Sequence, residues 1–331
     1  LFDTTGLFFW GKLPKISIIA IRFLKNMMFM NNQDQKQENN YCQKITGKSK
    51  LLGVIGHPVE HSLSPVMHNA ALGKLGLDYV YLPFPIAPEN LERAIAGFAS
   101  IGVVGFSITI PHKQAIIPLL SEISPIAQAI GAVNTVTRQG DIWVGTNTDV
   151  EGFIAPLQTT YQQNWSQKTA VILGNGGAAR AVVAGCIQLG LAEIHVVGRN
   201  IYKLKAFNES WQNSPFADKF QIHTWEELPN LIPQANLLVN TTPMGMYPHV
   251  NESPLSAEEM IKLPANSIAY DLIYIPKPTK FLHLAEKQGA IPIDGLEMLV
   301  QQGAAALKIW LQREEVPVDQ MRQALQNHLG L

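Results

Sequence analysis

Three histidines, two serines and two prolines crowd into GHPVEHSLSPVMHN, residues 56–69. Serine is a preferred helix cap and proline a preferred first-turn residue, so Ser64-Pro65 reads as the start of a helix with Ser64 as its N-cap. Ser62 is not needed for that cap. Two hydroxyls beside a helix N-terminus make a small anion cradle, suited to a carboxylate. His57, His61 and His68 raise the question of a metal. There is no H-E-x-x-H arrangement, and Pro58 and Pro65 keep the first two from sharing one regular helix, so no metal site is expected. Further along, SITIPHK (residues 107–113) puts Thr109 at a strand end and Lys113 just inside the next helix. GAVNTV supplies Asn134, and GTNTDVEGF supplies Asp149. Taken together these are hydroxyls, an amide, an ammonium and a carboxylate at strand ends, where open α/β sheets bind ligands. A polyhydroxylated small acid would need that set, with a cation near the reacting oxygen.

A second group of residues points to a nucleotide. AVILGNGGAAR (residues 170–180) carries Gly174, Gly176 and Ala179 in a G-x-G-x-x-A spacing, directly after an apolar strand and at the opening of a helix. Gly174 permits the tight turn, Gly176 the approach of a pyrophosphate, and Ala179 close helix–strand packing. The next strand, EIHVVG, ends in Gly198-Arg199-Asn200, with Lys203 one turn on. An NAD binder usually carries an acid here for the ribose 2′-hydroxyl. Two cations suit a 2′-phosphate instead, so NADP is the expected cofactor.

The elements that must hold these groups follow from the apolar rhythm. From Leu51 on, strand-length runs alternate with helical patterns: LLGVIG, then a helix near Pro65; DYVYLPFPI, then residues 87–100; VVGFSIT, then PHKQAIIPLL. That alternation predicts a parallel α/β sheet. Residues 132–149 break it and read as a hairpin turning at Gln139-Gly140-Asp141. The alternation restarts at Lys168, with strands at EIHVVG, KFQIHT, ANLLVNTT, SIAYDLIY and AIPID. EGFIAPLQTTYQQNWSQ (residues 151–167) is polar and reads as a linker helix at a domain boundary. Residues 296–310 have helical apolar spacing. The predicted architecture is two-domain α/β: an N-terminal α/β substrate domain, residues 51–150 plus 296–331, and a Rossmann-type doubly wound NADP-binding domain, residues 151–295.

Composition bounds the possibilities. The chain has 331 residues, 47% hydrophobic and only 15% charged, with a formal net charge of −1. Such a balance has no general attraction for nucleic acid or an anionic membrane. Its two cysteines, Cys42 and Cys186, cannot build a disulfide framework, and a reducing, cytoplasmic setting is expected. Residues 16–30 are apolar but interrupted by Arg22 and Lys25, short of the ~20 apolar residues a membrane span needs. Residues 31–40 are Gln/Asn-rich and read as a disordered linker. With possible starts at Met27, Met28 and Met30, residues 1–50 read as a loose tail or start-site extension.

GHPVEHSLSPVMHN, TIPHK, GAVNT, NTDVEGF, GNGGAARA, NTTPMGM and DGLEMLVQQGA follow one another along the chain, and together they resemble the shikimate dehydrogenase family. The likeness runs from about Leu51 to the C-terminus. It implies NADP-dependent interconversion of shikimate and 3-dehydroshikimate, on the route to chorismate and aromatic amino acids. It also implies roles: Ser62 and Ser64 for the carboxylate; Thr109, Asn134, Asp149, Tyr274 and Gln302 for the rest of the substrate; Lys113 with Asp149 for catalysis. Gly174, Asn175, Gly176, Gly177, Ala178, Gly198, Arg199, Asn200, Lys203, Leu272 and Gly295 would bind NADP. The chain departs from the family in three places. Pro125 stands where many relatives carry an acid, Lys203 replaces a frequent Arg and so loses the planar fork, and the first fifty residues have no counterpart. A quinate/shikimate dehydrogenase using NAD(P) and a non-catalytic shikimate-sensing relative are the alternatives, and monomer and homodimer both stay open. A free lysine holds its proton at neutral pH and is a poor base. An ammonium beside a carboxylate therefore acts by stabilising a developing alkoxide or by donating a proton in the reduction direction. Aligning the substrate ring with a nicotinamide across a cleft would call for hinge closure.

Overall fold

The computed structural model describes residues 45–161 and 164–331, which belong to one compact unit. The first half runs β1 (Lys50–Gly56), α1 (Ser64–Lys74), β2 (Tyr79–Pro85), α2 (Leu91–Ser100), β3 (Val103–Ile108), the single turn α3 (His112–Ala115), β4 (Glu122–Ile123), α4 (Pro125–Ile130), β5 (Thr135–Gln139) and β6 (Ile142–Thr146). These strands make a six-stranded sheet in the order β2-β1-β3-β5-β6-β4. β1 lies parallel to β2 and β3, as the alternation predicts. β5 and β6 form the expected antiparallel hairpin, and β5 also pairs antiparallel with β3. β4, at the edge, has only two residues, too few for any periodicity to announce it.

The chain then enters α5 (Asp149–Thr160) and a second alternation: β7 (Thr169–Leu173), α6 (Gly177–Leu189), β8 (Glu193–Gly198), α7 (Ile201–Glu209), β9 (Gln221–Thr224), α8 (Leu228–Leu231), β10 (Leu237–Asn240), α9 (Ala257–Met260), β11 (Ile268–Asp271), α10 (Lys280–Glu286) and β12 (Ile291–Ile293). This sheet is wholly parallel, in the order β12-β11-β10-β7-β8-β9. Its strands are nearly continuous runs of buried aliphatic residues, as both-face burial by helices requires. The order changes direction at β7, which is the doubly wound arrangement with its ligand crevice at the β7–β10 switch point. Two last helices, α11 (Leu296–Leu311) and α12 (Val318–Leu329), pack back on α1, so the C-terminal segment rejoins the first sheet.

Two expectations change. The polar linker helix is a core element: Phe153 and Leu157 are fully buried against α6, and a Cβ at Gly185 would lie 2.5 Å from the Phe153 ring. Its exposed Glu151, Gln158 and Thr159 gave it a polar look, and the helix opens two residues early, at Asp149. Residues 46–50, expected within a loose tail, are tied to the fold. Thr46 donates to Asp78 at 2.6 Å, Ser49 also donates to Asp78, and Lys50 starts β1. The apolar stretch at residues 16–30, the Gln/Asn-rich stretch at 31–40 and Cys42 lie outside the described residues. Among the described residues no helix is long and apolar enough to cross a membrane, and no group of three or more His, Cys, Asp or Glu is placed to hold a metal ion.

Candidate active site

The C-terminal ends of β1 and β3 open into a cavity of about 220 Å³. Ser62, Ser64, Thr109, Lys113, Asn134, Asp149, Tyr274 and Gln302 all line it, although they come from six separate stretches of the chain. At its centre Lys113 Nζ donates to Asp149 Oδ2, with both side chains largely buried. The other carboxylate oxygen accepts from Asn134 Nδ2 at 2.8 Å. Asn134 is itself fixed, because its Oδ1 accepts from the Thr148 N–H at 2.7 Å and from Thr135 Oγ1 at 3.0 Å. The Asn147 side chain bonds Ala132 O and accepts from the Asp149 N–H, each at 3.0 Å. Asp149 thus sits at the first position of α5, where the helix dipole favours a negative charge. Gly152, one turn on, lets α11 come close: a Cβ there would lie 2.8 Å from Gln302 Cβ and from Met298 O. That approach sets Gln302 Oε1 3.5 Å from Asn134 Nδ2.

Ser64 is not the cap the sequence suggested. Leu63 already has helical backbone angles (φ −87°, ψ 0°), and its carbonyl accepts from Val66 and Met67. The Ser64 side chain is therefore free of backbone duty and lines the cavity, while Ser62 Oγ accepts the Ser64 N–H at 3.3 Å. Tyr274 follows β11 and comes against the backbone of Leu63, and burial pushes its phenol up. The loop bearing it is anchored by Asp271, which accepts from Thr279 Oγ1 at 2.7 Å, Asn240 Nδ2 at 3.0 Å and the Ile273 N–H at 3.1 Å. Burial nonetheless pushes the Asp271 carboxyl up to about 7.

A second cavity, of about 560 Å³, adjoins the first, and Thr109, Lys113 and Ala178 line both. Gly174 to Ala178, Gly198, Arg199, Asn200 and Lys203 border it. Gly174 has φ +108°, and a Cβ there would lie 2.6 Å from Thr241 Oγ1, so only glycine fits. Gly176 precedes α6 with no side-chain cap, and a Cβ there would meet nothing within 4 Å. The first N–H groups of α6 are left for a ligand. Buried Asn175 Nδ2 has no partner within the protein. Arg199 and Lys203 are exposed at the rim, with Asn200 Oδ1 capping α7 through the Lys203 N–H. An uncapped helix end, an unpartnered amide donor and two rim cations fit a phosphorylated dinucleotide.

Leu272 and Gly295, expected beside the cofactor, line the first cavity and not the second. A Cβ at Gly295 would lie 2.1 Å from Leu272 O, so the glycine serves that close backbone contact. Sequence reasoning missed Ser107 in the first cavity and Gln114, Trp225, Thr241 and Thr242 in the second. The motifs SITIPHK and NTTPMGM contain three of these five, and Gln114 directly follows SITIPHK, so the motifs were a usable signal for them. Trp225 lies after β9 and had none.

Comparison with known proteins agrees with this geometry. Residues 54–136 match the description of the shikimate dehydrogenase substrate binding domain, and residues 295–326 that of the shikimate 5'-dehydrogenase C-terminal domain. The NADP(+) shikimate dehydrogenase of Nostoc sp. PCC 7120 is 78% identical over 287 residues, covering 87% of this chain and 99% of its own. A shikimate dehydrogenase crystallised with NADP+ superposes with a TM-score of 0.77 at 38% identity, over 87% of this chain and 98% of its own. The Listeria monocytogenes enzyme in complex with shikimate and NAD gives 0.75 at 35% identity, over 85% and 98%. With two joined cavities, a matching fold and relatives this similar across nearly their whole length, the chain belongs to the shikimate dehydrogenase family.

Proposed function

We propose that this chain is an NADP-dependent shikimate dehydrogenase, reversibly reducing 3-dehydroshikimate to shikimate in the route to chorismate and aromatic amino acids. The observation that carries the reading is the Lys113–Asp149 pair at the junction of a hydroxyl-lined cavity and a phosphate-suited one. Ser62 and Ser64 hold the carboxylate, and Thr109, Asn134, Asp149, Tyr274 and Gln302 hold the ring hydroxyls. The glycine loop, Gly198, Asn200, Arg199 and Lys203 hold NADP, with Leu272 and Gly295 contributing from the first cavity. The substrate domain is residues 51–150 plus 296–331, and the cofactor domain is residues 151–295. The setting is cytoplasmic, which suits a buried free thiol at Cys186.

Bound NADP supplies the hydride-exchanging centre. The remaining task is to manage the proton and charge on the substrate oxygen. In the reduction direction that oxygen gains negative charge as hydride arrives at its carbon, and the Lys113 ammonium stabilises it and hands over a proton. Asp149, itself held by Asn134, keeps the ammonium in place, so little reorganisation accompanies the step. In the reverse direction the same pair receives the hydroxyl proton.

The test follows absorbance at the reduced-nicotinamide band with shikimate or quinate against NADP or NAD. Shikimate with NADP is the expected best pair by at least tenfold in kcat/KM, about 1.4 kcal/mol of transition-state discrimination. A preference for quinate with NAD would overturn the assignment, and binding of shikimate without turnover would favour the sensing alternative.

A further inference from the structure

Behind the serines lies a group the reaction above does not use. Tyr81, on β2, is fully buried, and no contact of its hydroxyl meets hydrogen-bond geometry. An unpartnered buried hydroxyl is uncommon and asks for a reason. The side chains of Ser107 and Ser64, both of which line the first cavity, stand close enough to act on the phenol as hydrogen-bonding neighbours without completing a bond. Nothing else about Tyr81 is loose. Asn69 on α1 grips its backbone twice, donating to Tyr81 O and accepting from the Tyr81 N–H, each at 2.9 Å. Its ring stacks on the His68 imidazole at 4.3 Å and 19°, and Trp310 closes against both rings. Burial holds the imidazole near a value of about 3, so the stacked ring is uncharged. Burial likewise pushes the phenol up, so it keeps its proton and stays a donor.

We propose that Tyr81 is a positioning residue for the carboxylate end of the substrate, the centre of a chain in which Ser107 Oγ–H donates to the phenol, the phenol donates to Ser64 Oγ, and Ser64 donates to the carboxylate. A hydroxyl offers one proton and two lone pairs. With a lone pair of Ser64 occupied by Tyr81, the Ser64 proton has one outlet, the cavity. Each bond in such a chain polarises the next in a site shielded from water. A carboxylate accepting from Ser64 draws these near contacts into bonds. This inference rests on the assignment of a carboxylate-bearing substrate to the first cavity.

The test is Tyr81→Phe, which keeps the ring, measured at saturating NADP with shikimate and with its carboxamide analogue. KM for shikimate should rise by about tenfold while kcat changes by less than about twofold, since the lost contact is made equally in the ground and transition states. KM for the carboxamide, whose carbonyl accepts more weakly than a carboxylate, should rise by clearly less. In a Ser64→Ala background, Tyr81→Phe should add less than about twofold, because the chain is already broken. A merely structural role would lower Tm and shift both substrates alike, and that result overturns the proposal. So does an unshifted KM for shikimate, or full additivity with Ser64→Ala. Wild-type protein that fails to turn over shikimate overturns the activity and the Tyr81 assignment together. Normal wild-type turnover with an unshifted variant overturns the assignment alone.

Discussion

The two cavities are built from different materials. The first is walled by side chains that hold one another: Asn134 alone touches Thr135, Thr148, Asp149 and Gln302. The second is walled by backbone, with a glycine turn, an uncapped helix end and two exposed cations. A prepaid network of side chains suits chemistry, where a charge must be met without rearrangement. Bare backbone suits recognition of phosphates, where close approach matters more than side-chain identity. Substitutions at the Lys113–Asp149 pair of the first region should therefore lower turnover, and those in the second should weaken cofactor binding.

The strongest break of that contrast is at Lys113. Lys113→Ala should lower kcat by about 10²–10⁴-fold, with KM for shikimate much less affected. Steady-state kinetics that showed a rise in KM alone would move Lys113 from chemistry to binding. Next comes Gly174→Ala, which forces a Cβ into the space 2.6 Å from Thr241 Oγ1 at a φ of +108°. It should raise KM for NADP by about 10- to 100-fold while kcat at saturating cofactor is largely kept. Arg199→Gln sharpens the same side: KM for NADP should rise roughly tenfold and KM for NAD hardly change, because only the 2′-phosphate loses a partner. An equal loss with both cofactors would show that the guanidinium does not read the phosphate.

The smallest effect concerns stability. His68 has a folded value of about 3 against an ordinary 6.5, because burial disfavours its charge. Between those values the unfolded chain binds the extra proton. Stability is thus complete above pH 6.5 and falls as the pH drops toward 3, at about 1.4 kcal/mol per pH unit. His68→Phe keeps a ring against Tyr81 and should flatten the fall of Tm between pH 6.5 and 5. An unchanged slope would mean that His68 is not the group that titrates.

Much of this was legible in the sequence, and the misses have physical causes. Alternating apolar runs gave both sheets, and the glycine spacing gave the nucleotide loop, because burial and tight turns leave strong local marks. Lys113, Asn134 and Asp149 could be picked out because each stands next to the end of a strand or in the first turn of a helix. Their mutual bonding is a tertiary fact that no spacing encodes. Ser64 was misread because Leu63 adopts helical angles and starts α1 one residue early. The polar residues of α5 hid Phe153 and Leu157, which face the core. Tyr81, within DYVYLPFPI, looks like any strand aromatic, and only its buried, unpartnered oxygen sets it apart. Trp225 reaches the second cavity from the far edge of the sheet, where no motif pointed.

The most direct measurement is a crystal structure of the protein with both shikimate and NADP+. The mechanism predicts the substrate carboxylate on Ser62 and Ser64, and the reacting ring oxygen within about 3.2 Å of Lys113 Nζ on the side facing the nicotinamide. A substrate turned so that its carboxylate pairs with Lys113, leaving the reacting oxygen away from the Lys113–Asp149 pair, would contradict it.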